Sequence, residues 1–291
     1  MERRLKAGSE PGFRLAVLGA DRRLGILREM LINNGHAVFG YDEWNGGEAA
    51  DAVICPIPMT RDGVSIAYEG GQAGIETLLE RAAREGSVLI AGSVPEAVAD
   101  KARGLGAELF DVMDDDEMAV MNAIPTAEGA IAAAMEAGDI TIFGSECLVL
   151  GYGRCGRALC RALKGLGANV AAAHRTGGAN IRAAGVSPVD IARLAAHIGE
   201  YDFIFNTVPA PVLGGAQLAA AKKSAVIIDI ASAPGGVDFD AARELGVTAR
   251  LCPGLPGKVA PRSAAAAFYE SVMRVLVTYA ASKQIKNKLF E

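Results

Sequence analysis

The sequence predicts an α/β protein made of two doubly wound parallel-sheet domains, and three observations lead there. Short apolar runs alternate with segments of helical periodicity. The alternation stops once, at an alanine-rich stretch, and then restarts. Glycine is abundant, with 35 residues, while aromatic residues make up only 5% of the chain. Strands separated by helices run parallel and need helices on both faces, and small residues suit the tight turns between them.

The elements follow in order. Phe13 to Leu18 is an apolar run that meets Gly19; Leu24 to Asn33 has helical periodicity, and Asn34-Gly35 stops it. Ala37 to Tyr41 and Ala52 to Ile57 read as strands, Ile75 to Arg84 as a helix, Val88 to Ala91 as a strand, Ala97 to Leu105 as a helix and Glu108 to Asp111 as a short strand. Pro125 and Thr126 are expected to open the alanine-rich helix Ala127 to Ala137, which Gly138 closes. The alternation then resumes with Cys147 to Leu150, Ala158 to Leu166, Val170 to Ala173, Phe203 to Asn206 and Val226 to Ile230. The last stretch, Arg262 to Gln284, is helical without a strand of its own, so it is expected to pack back on the first domain. That places a flavodoxin-like domain at residues 1–122 plus about 270–291, and a second domain at 123–269.

Composition narrows the function. A net charge of −5 without a basic stripe argues against nucleic acid. Five cysteines with no CxxC pair, and only three histidines, point to a reducing compartment and no metal site. The polar leader Met1 to Gly12 has no apolar core of a signal peptide, and no run approaches the length of a membrane span, so a cytoplasmic protein is expected.

The strand Cys147 to Leu150 runs into Gly151-Tyr152-Gly153-Arg154-Cys155-Gly156 and then directly into a helix. This context makes GxGxxG a Rossmann dinucleotide-binding turn: Gly151 turns the chain, Gly153 lets the backbone approach a pyrophosphate, and Gly156 lets the helix lie close to the strand. The amides at the helix start bind the anion. After the next strand, where an acidic residue usually meets the ribose 2′-hydroxyl, stand His174, Arg175 and Thr176. Arg175 lies 19 residues beyond Gly156, and a guanidinium matches a 2′-phosphate, so NADP is favoured over NAD. A solvated surface charge is the alternative for Arg175. Asn206, Thr207, Val208 and Pro209 are expected to edge the nicotinamide half.

Three further stretches are not explained by cofactor binding: Asn122 to Gly129, Ala231 to Phe239 and Cys252 to Pro261. Through these loops and Val149 to Gly156, the chain resembles the A subunit of dipicolinate synthase from spore-forming bacteria, over most of residues 13 to 270. Gly19-Ala20-Asp21 and Arg262-Ser263-Ala264 depart from the family's more usual Gly-Gly-Asp and Lys-Thr-Ala. The resemblance implies oxidation of dihydrodipicolinate to pyridine-2,6-dicarboxylate (dipicolinate) with NADP during sporulation. It also implies a mother-cell location and a partner, the flavoprotein B subunit; homo-oligomers are expected too. A diacid asks for cations and hydroxyls; Arg22, Arg23, Lys258, Thr60, Ser93, Thr126 and Ser232 are the candidates to supply them, and Asp21 and Asn122 join them as candidates for substrate contact. Lys258 doubles as a catalytic candidate, with a solvated lysine as the alternative, and Glu128 is the candidate base, with water equally able to serve. A histidine-dependent 2-hydroxyacid dehydrogenase is disfavoured, because His174 belongs to the adenosine end. Two other readings stay open: an NADP-dependent dehydrogenase of another small carboxylate, similar to alanine dehydrogenase, and a non-catalytic NADP-binding subunit.

Overall fold

The computed structural model describes residues 12–175 and 178–290, with side chains through residue 282. The chain divides into two compact units, residues 1–119 with 261–291, and residues 120–260.

The first unit begins β1 (Arg14–Val17), α1 (Arg22–Asn33), β2 (Ala37–Phe39), α2 (Tyr41–Asn45) and β3 (Ala52–Ile54). A small antiparallel hairpin follows, β4 (Ser65–Tyr68) and β5 (Gly71–Gly74), then α3 (Ile75–Glu85), β6 (Val88–Ala91), α4 (Glu96–Leu105) and β7 (Leu109–Asp111). The main sheet is parallel with order β2-β1-β3-β6-β7, the flavodoxin-type winding. Alternation along each strand feeds two cores. Leu15, Val17, Ala52 and Ile54 join Leu24, Leu27 and Leu31 of α1 on one face; Ala16, Leu18, Val53 and Cys55 join Trp44, Leu78 and Leu79 on the other.

The helix α5 (Asp116–Ala137) passes from this unit into the next. Pro125 therefore lies inside the helix rather than at its start. Asp115 sets the true beginning: its Oδ1 accepts from the amides of Glu117 at 3.0 Å and Met118 at 3.3 Å. Proline has no N–H for the carbonyl one turn back, and Thr126 Oγ1 donates to the Asn122 carbonyl at 2.7 Å in the same turn. With its earlier start the helix is long and apolar enough by composition to cross a membrane, which corrects the expectation that no segment would be. Half of that apolar window is buried in protein, where Ala127, Ala130, Ile131 and Ala134 enter the second unit's core.

The second unit continues β8 (Glu146–Leu150), α6 (Arg154–Gly165), β9 (Asn169–His174), α7 (Ala179–Ala183), β10 (Ser187–Asp190), α8 (Leu194–His197) and β11 (Phe203–Asn206). It ends with α9 (Gly215–Ala220), β12 (Val226–Asp229), α10 (Phe239–Leu245), β13 (Thr248–Leu251) and α11 (Leu255–Val259). Its six strands are all parallel in the order β10-β9-β8-β11-β12-β13, the Rossmann winding. The order reverses between β8 and β11, and such a sheet binds its ligand outside the carboxyl ends of those strands.

The last helix, α12 (Pro261–Phe290), returns to the first unit, where Ala265, Phe268, Val272 and Leu276 pack with α1. Division at Pro261 moves the expected return near residue 270 earlier in the chain, because proline is tolerated in the first turn of the helix that makes the return. Asp115 ties this helix down, accepting from Ser271 Oγ at 3.0 Å and pairing with Arg274.

Candidate dinucleotide site

The glycine turn is shaped by what glycine lacks. Gly151 has φ of +93°, and a Cβ there would stand 2.5 Å from Thr207 Oγ1. A Cβ on Gly156 would fall 2.2 Å from the Gly151 oxygen, so only glycine lets α6 cross this close to its strand. At Gly153, the N-cap of α6, no atom lies within 4 Å of the Cβ position, and no side chain caps the helix. The start of this 12-residue helix thus has room beside it at Gly153 and no side-chain cap. This is a cradle for a diphosphate, where backbone and dipole favour an anion. Leu159, Cys160 and Leu163 bury the opposite side of the helix. Of the other turn residues, Tyr152 and Cys155 are half-buried, and Arg154 is exposed.

At the end of β9, His174 keeps Nδ1 buried without a hydrogen-bond partner among the described residues. An orphaned buried nitrogen costs free energy unless something else meets it, and its place beside the ribose end of the cradle fits a bound dinucleotide. Arg175 is exposed. Thr176 lies outside the described residues. Together the turn, the uncapped start of α6 and His174 fit a nicotinamide dinucleotide.

The loop after β11 closes on the turn. Thr207 donates to the Leu150 carbonyl through its amide at 3.0 Å and its hydroxyl at 2.8 Å. Val208 is half-buried and Pro209 exposed. Asn206, expected at the cofactor, is instead fully buried: its amide group donates to Asp229 Oδ1 at 2.9 Å and to the Val208 carbonyl at 3.1 Å. It holds the loop rather than the ligand, and Asp229 was not legible as its partner.

Of the candidates for a diacid, three in the first unit are already engaged. Arg23 is 4% exposed and donates to Asp21 at 2.9 Å and to the Ile57 carbonyl at 2.8 Å. Asp21 also caps α1 through the Leu24 amide. Thr60 is buried and donates to Asp62, which three further donors hold well below the usual carboxylate range: the Ser65 hydroxyl and the Val64 and Ser65 amides. These three build loops at the carboxyl ends of β1 and β3; the sequence showed their charge and position but not their local partners. Arg22 remains exposed at the first turn of α1. Ser93 is exposed with φ of +52°, and its amide donates to Asp111 at 3.0 Å.

In the second unit, Thr126 is spent on its helix backbone, Asn122 has a buried Oδ1 with no partner among the described residues, and Ser232 is exposed on the loop after β12. Glu128 is exposed in the interior of α5 rather than near its start, and Lys258 is exposed on the short helix α11 rather than in a loop. The structure does bring their elements together: a Cβ on Gly129 would stand 3.1 Å from Leu255 and 3.2 Å from Val259, so α11 lies directly on α5 beside both residues. Lys258 also bears on the end of β13. Burial raises the Cys252 thiol, and the charges of Arg250 and Lys258 oppose that rise. Among the described residues, no group of three or more His, Cys, Asp or Glu is placed to hold a metal ion.

Residues 126–241 match the family of the D-isomer specific 2-hydroxyacid dehydrogenase, NAD binding domain. With the winding order and the open glycine cradle, this defines a nicotinamide-dinucleotide-binding oxidoreductase of the dehydrogenase type. More closely, the chain belongs to the family of the dipicolinate synthase A subunit. It is 32% identical over 276 residues to the A subunit of dipicolinate synthase from Bacillus subtilis (strain 168), covering 87% of this chain and 92% of the relative. The crystal structure of the corresponding subunit from Bacillus halodurans matches with a TM-score of 0.83 at 29% identity, over 92% of this chain and 99% of the other. The crystal structure of the Bacillus subtilis protein matches with a TM-score of 0.81 at 28% identity, over 93% and 98%. D-lactate dehydrogenase from Escherichia coli shares the fold at 17% identity, with a TM-score of 0.66 over 92% and 97%.

Proposed function

We propose that this protein oxidises dihydrodipicolinate to pyridine-2,6-dicarboxylate with NADP, as the A subunit of a dipicolinate synthase that works with a flavoprotein B subunit in the mother cell during sporulation. The observation that carries the reading is the likeness, along nearly the whole chain, to a relative that bears that name.

Loss of a hydride and a proton turns the dihydro ring into an aromatic pyridine, so the chemistry is driven by the product and asks the protein mainly for placement and charge. The bound dinucleotide supplies the hydride acceptor. The residues of α6 and the glycine turn hold its diphosphate, and Arg175 pairs with the 2′-phosphate. Lys258 pairs with a substrate carboxylate, and Glu128, on the neighbouring face of α5, takes the ring proton or passes it to water.

Purified protein mixed with dihydrodipicolinate and NADP, with and without the flavoprotein, tests this. NADPH formation supports the reading, and its absence under both conditions overturns it. Lys258→Ala is expected to lower turnover by the complex roughly 10-fold or more, the usual loss when a charged contact is removed. Unchanged turnover would favour a protein that binds NADP without doing the chemistry.

A further inference from the structure

Asn206 and Asp229 end the neighbouring strands β11 and β12, are register partners, and are both fully buried. Asp229 Oδ1 accepts from Asn206 Nδ2 at 2.9 Å and from the Ala231 amide at 3.0 Å; Oδ2 accepts from the Gly236 amide at 2.9 Å. Asn206 in turn brackets Val208, donating to its carbonyl and accepting from its amide, both at 3.1 Å. Each polar side-chain atom of the pair is therefore bonded to its partner or to one of the two loops that leave these strands, 207–209 and 231–236. The space around them is filled. A Cβ on Gly236 would stand 2.4 Å from Asn206 Nδ2, and one on Gly235 would stand 3.2 Å from Asp229 Oδ2.

Burying a carboxylate without a cation is expensive, and among the described residues Asp229 has no ion pair; its hydrogen bonds offset that expense only while both loops keep this conformation. The Asp229 carboxylate thus does what an apolar side chain cannot, accepting from three N–H donors, the Asn206 side chain and one amide at each end of loop 231–236. The two loops flank the crevice on the β11 side of the switch point, where Asn206 pairs in register with Leu150 at the glycine turn. In this winding the adenosine half of a dinucleotide lies on the β9 side and the nicotinamide half on this one.

We propose that Asp229, acting through Asn206, is a positioning residue for the nicotinamide half of the cofactor: it fixes loops 207–209 and 231–236 in the form that receives the nicotinamide ring. The proposal rests on the reading of the site as a nicotinamide dinucleotide site, and it predicts an effect confined to one half of the ligand.

The experiment is calorimetric binding of NADP, of NAD, and of their fragments without nicotinamide, 2′-phospho-ADP-ribose and ADP-ribose, to the wild type and to Asp229→Asn. The amide introduced by Asp229→Asn sets a donor against a backbone N–H. Affinity for the intact dinucleotide is expected to fall about 10- to 100-fold, the range for one unsatisfied buried group, while fragment affinity is unchanged. Equal losses for dinucleotide and fragment, or no loss for either, overturn the proposal. If Asp229→Asn does not fold, amide exchange in the wild type decides. The Ala231, Gly236 and Val208 amides should exchange more slowly with intact dinucleotide and be unaffected by the fragment; the same response to both ligands overturns the proposal. A wild type that binds neither dinucleotide nor fragment overturns the cofactor reading itself, a distinct result.

Discussion

Gly156 packs so closely on Gly151 that a single added carbon would fall 2.2 Å from the Gly151 oxygen. The obstruction is backbone, so no side-chain rotation relieves it. Gly156→Ala must push α6 away from β8 or distort the turn, and overpacking of this kind costs about 1–3 kcal/mol. The expected result is a lower Tm together with at least a roughly 10-fold loss of dinucleotide affinity, since the displaced amides are those proposed to meet the diphosphate. Gly153→Ala is the control. No atom lies near its Cβ position, so stability should hold while binding weakens.

Arg175 stands exposed just beyond β9 with no acidic residue in its place to meet a ribose hydroxyl. If it pairs with a 2′-phosphate, Arg175→Ala should weaken NADP binding about 10-fold, the loss of a charge-assisted contact, and leave NAD nearly unaffected. Equal titration of NAD and NADP by the wild type would refute the assignment.

The parts of this molecule legible in its sequence are those set by local pattern. The glycine turn was readable because strand, glycines and helix are contiguous, and the central strands because they are buried on both faces. The edge strands β10 and β13 were missed: Ser187-Pro188-Val189-Asp190 and Thr248-Ala249-Arg250-Leu251 are short and partly exposed, so their composition carries little burial signal. Pro125 misled because its steric rule favours a helix start, whereas the Asp115 cap and the packing of α5 outweigh one missing hydrogen bond. Charge alone made Arg23 and Asp21 look available for a ligand; only three dimensions show that they are bonded to each other. Asp229 stayed hidden for the opposite reason, since its partners Asn206 and Gly236 come together only through the strand register.

Burial pushes the thiols of Cys55 and Cys160 up to about 12 and that of Cys147 up to about 11. The thiolate is the reactive form, so the folded protein should resist alkylation at all three positions. Cys155 and Cys252 are partly exposed, and their labelling should precede that of the other three. Mass spectrometry after brief iodoacetamide treatment checks the order. Labelling of Cys55 before global unfolding would contradict its burial.

Ser93 holds a left-handed backbone with φ of +52°, a region that disfavours residues with a Cβ. Its amide and that of Val94 are fixed by the Asp111 carboxylate at 3.0 and 2.7 Å, which keeps the loop in place. Ser93→Gly removes the strain and leaves those amide bonds intact. It should stabilise the protein by about 1 kcal/mol, seen as a rise in the denaturant midpoint with an unchanged slope. A fall in the midpoint would mean that the entropy glycine adds to the unfolded chain exceeds the strain it relieves.

Asp115 joins the start of α5 to α12 and gives the clearest acid dependence. Partial burial works to raise its pKa, but hydrogen bonds from Arg274, Ser271 and the Met118 amide outweigh it and hold the carboxyl below its ordinary value. A carboxyl depressed in the folded state adds stability above its unfolded pKa, about 3.9, and that stability is lost as pH falls through the folded value. The contribution is therefore complete near neutrality, begins to fade below roughly pH 4 and is gone only once the pH has fallen through the lowered folded value. Its size is about 1 kcal/mol once solvent screening of the partly exposed Arg274 is allowed for. Asp115→Asn can still cap the helix but cannot ionise, so it should be less stable than the wild type at neutral pH and converge with it in acid. Thermal melts across that range measure the difference, and parallel pH profiles for the two proteins would show that the Arg274 pair contributes nothing.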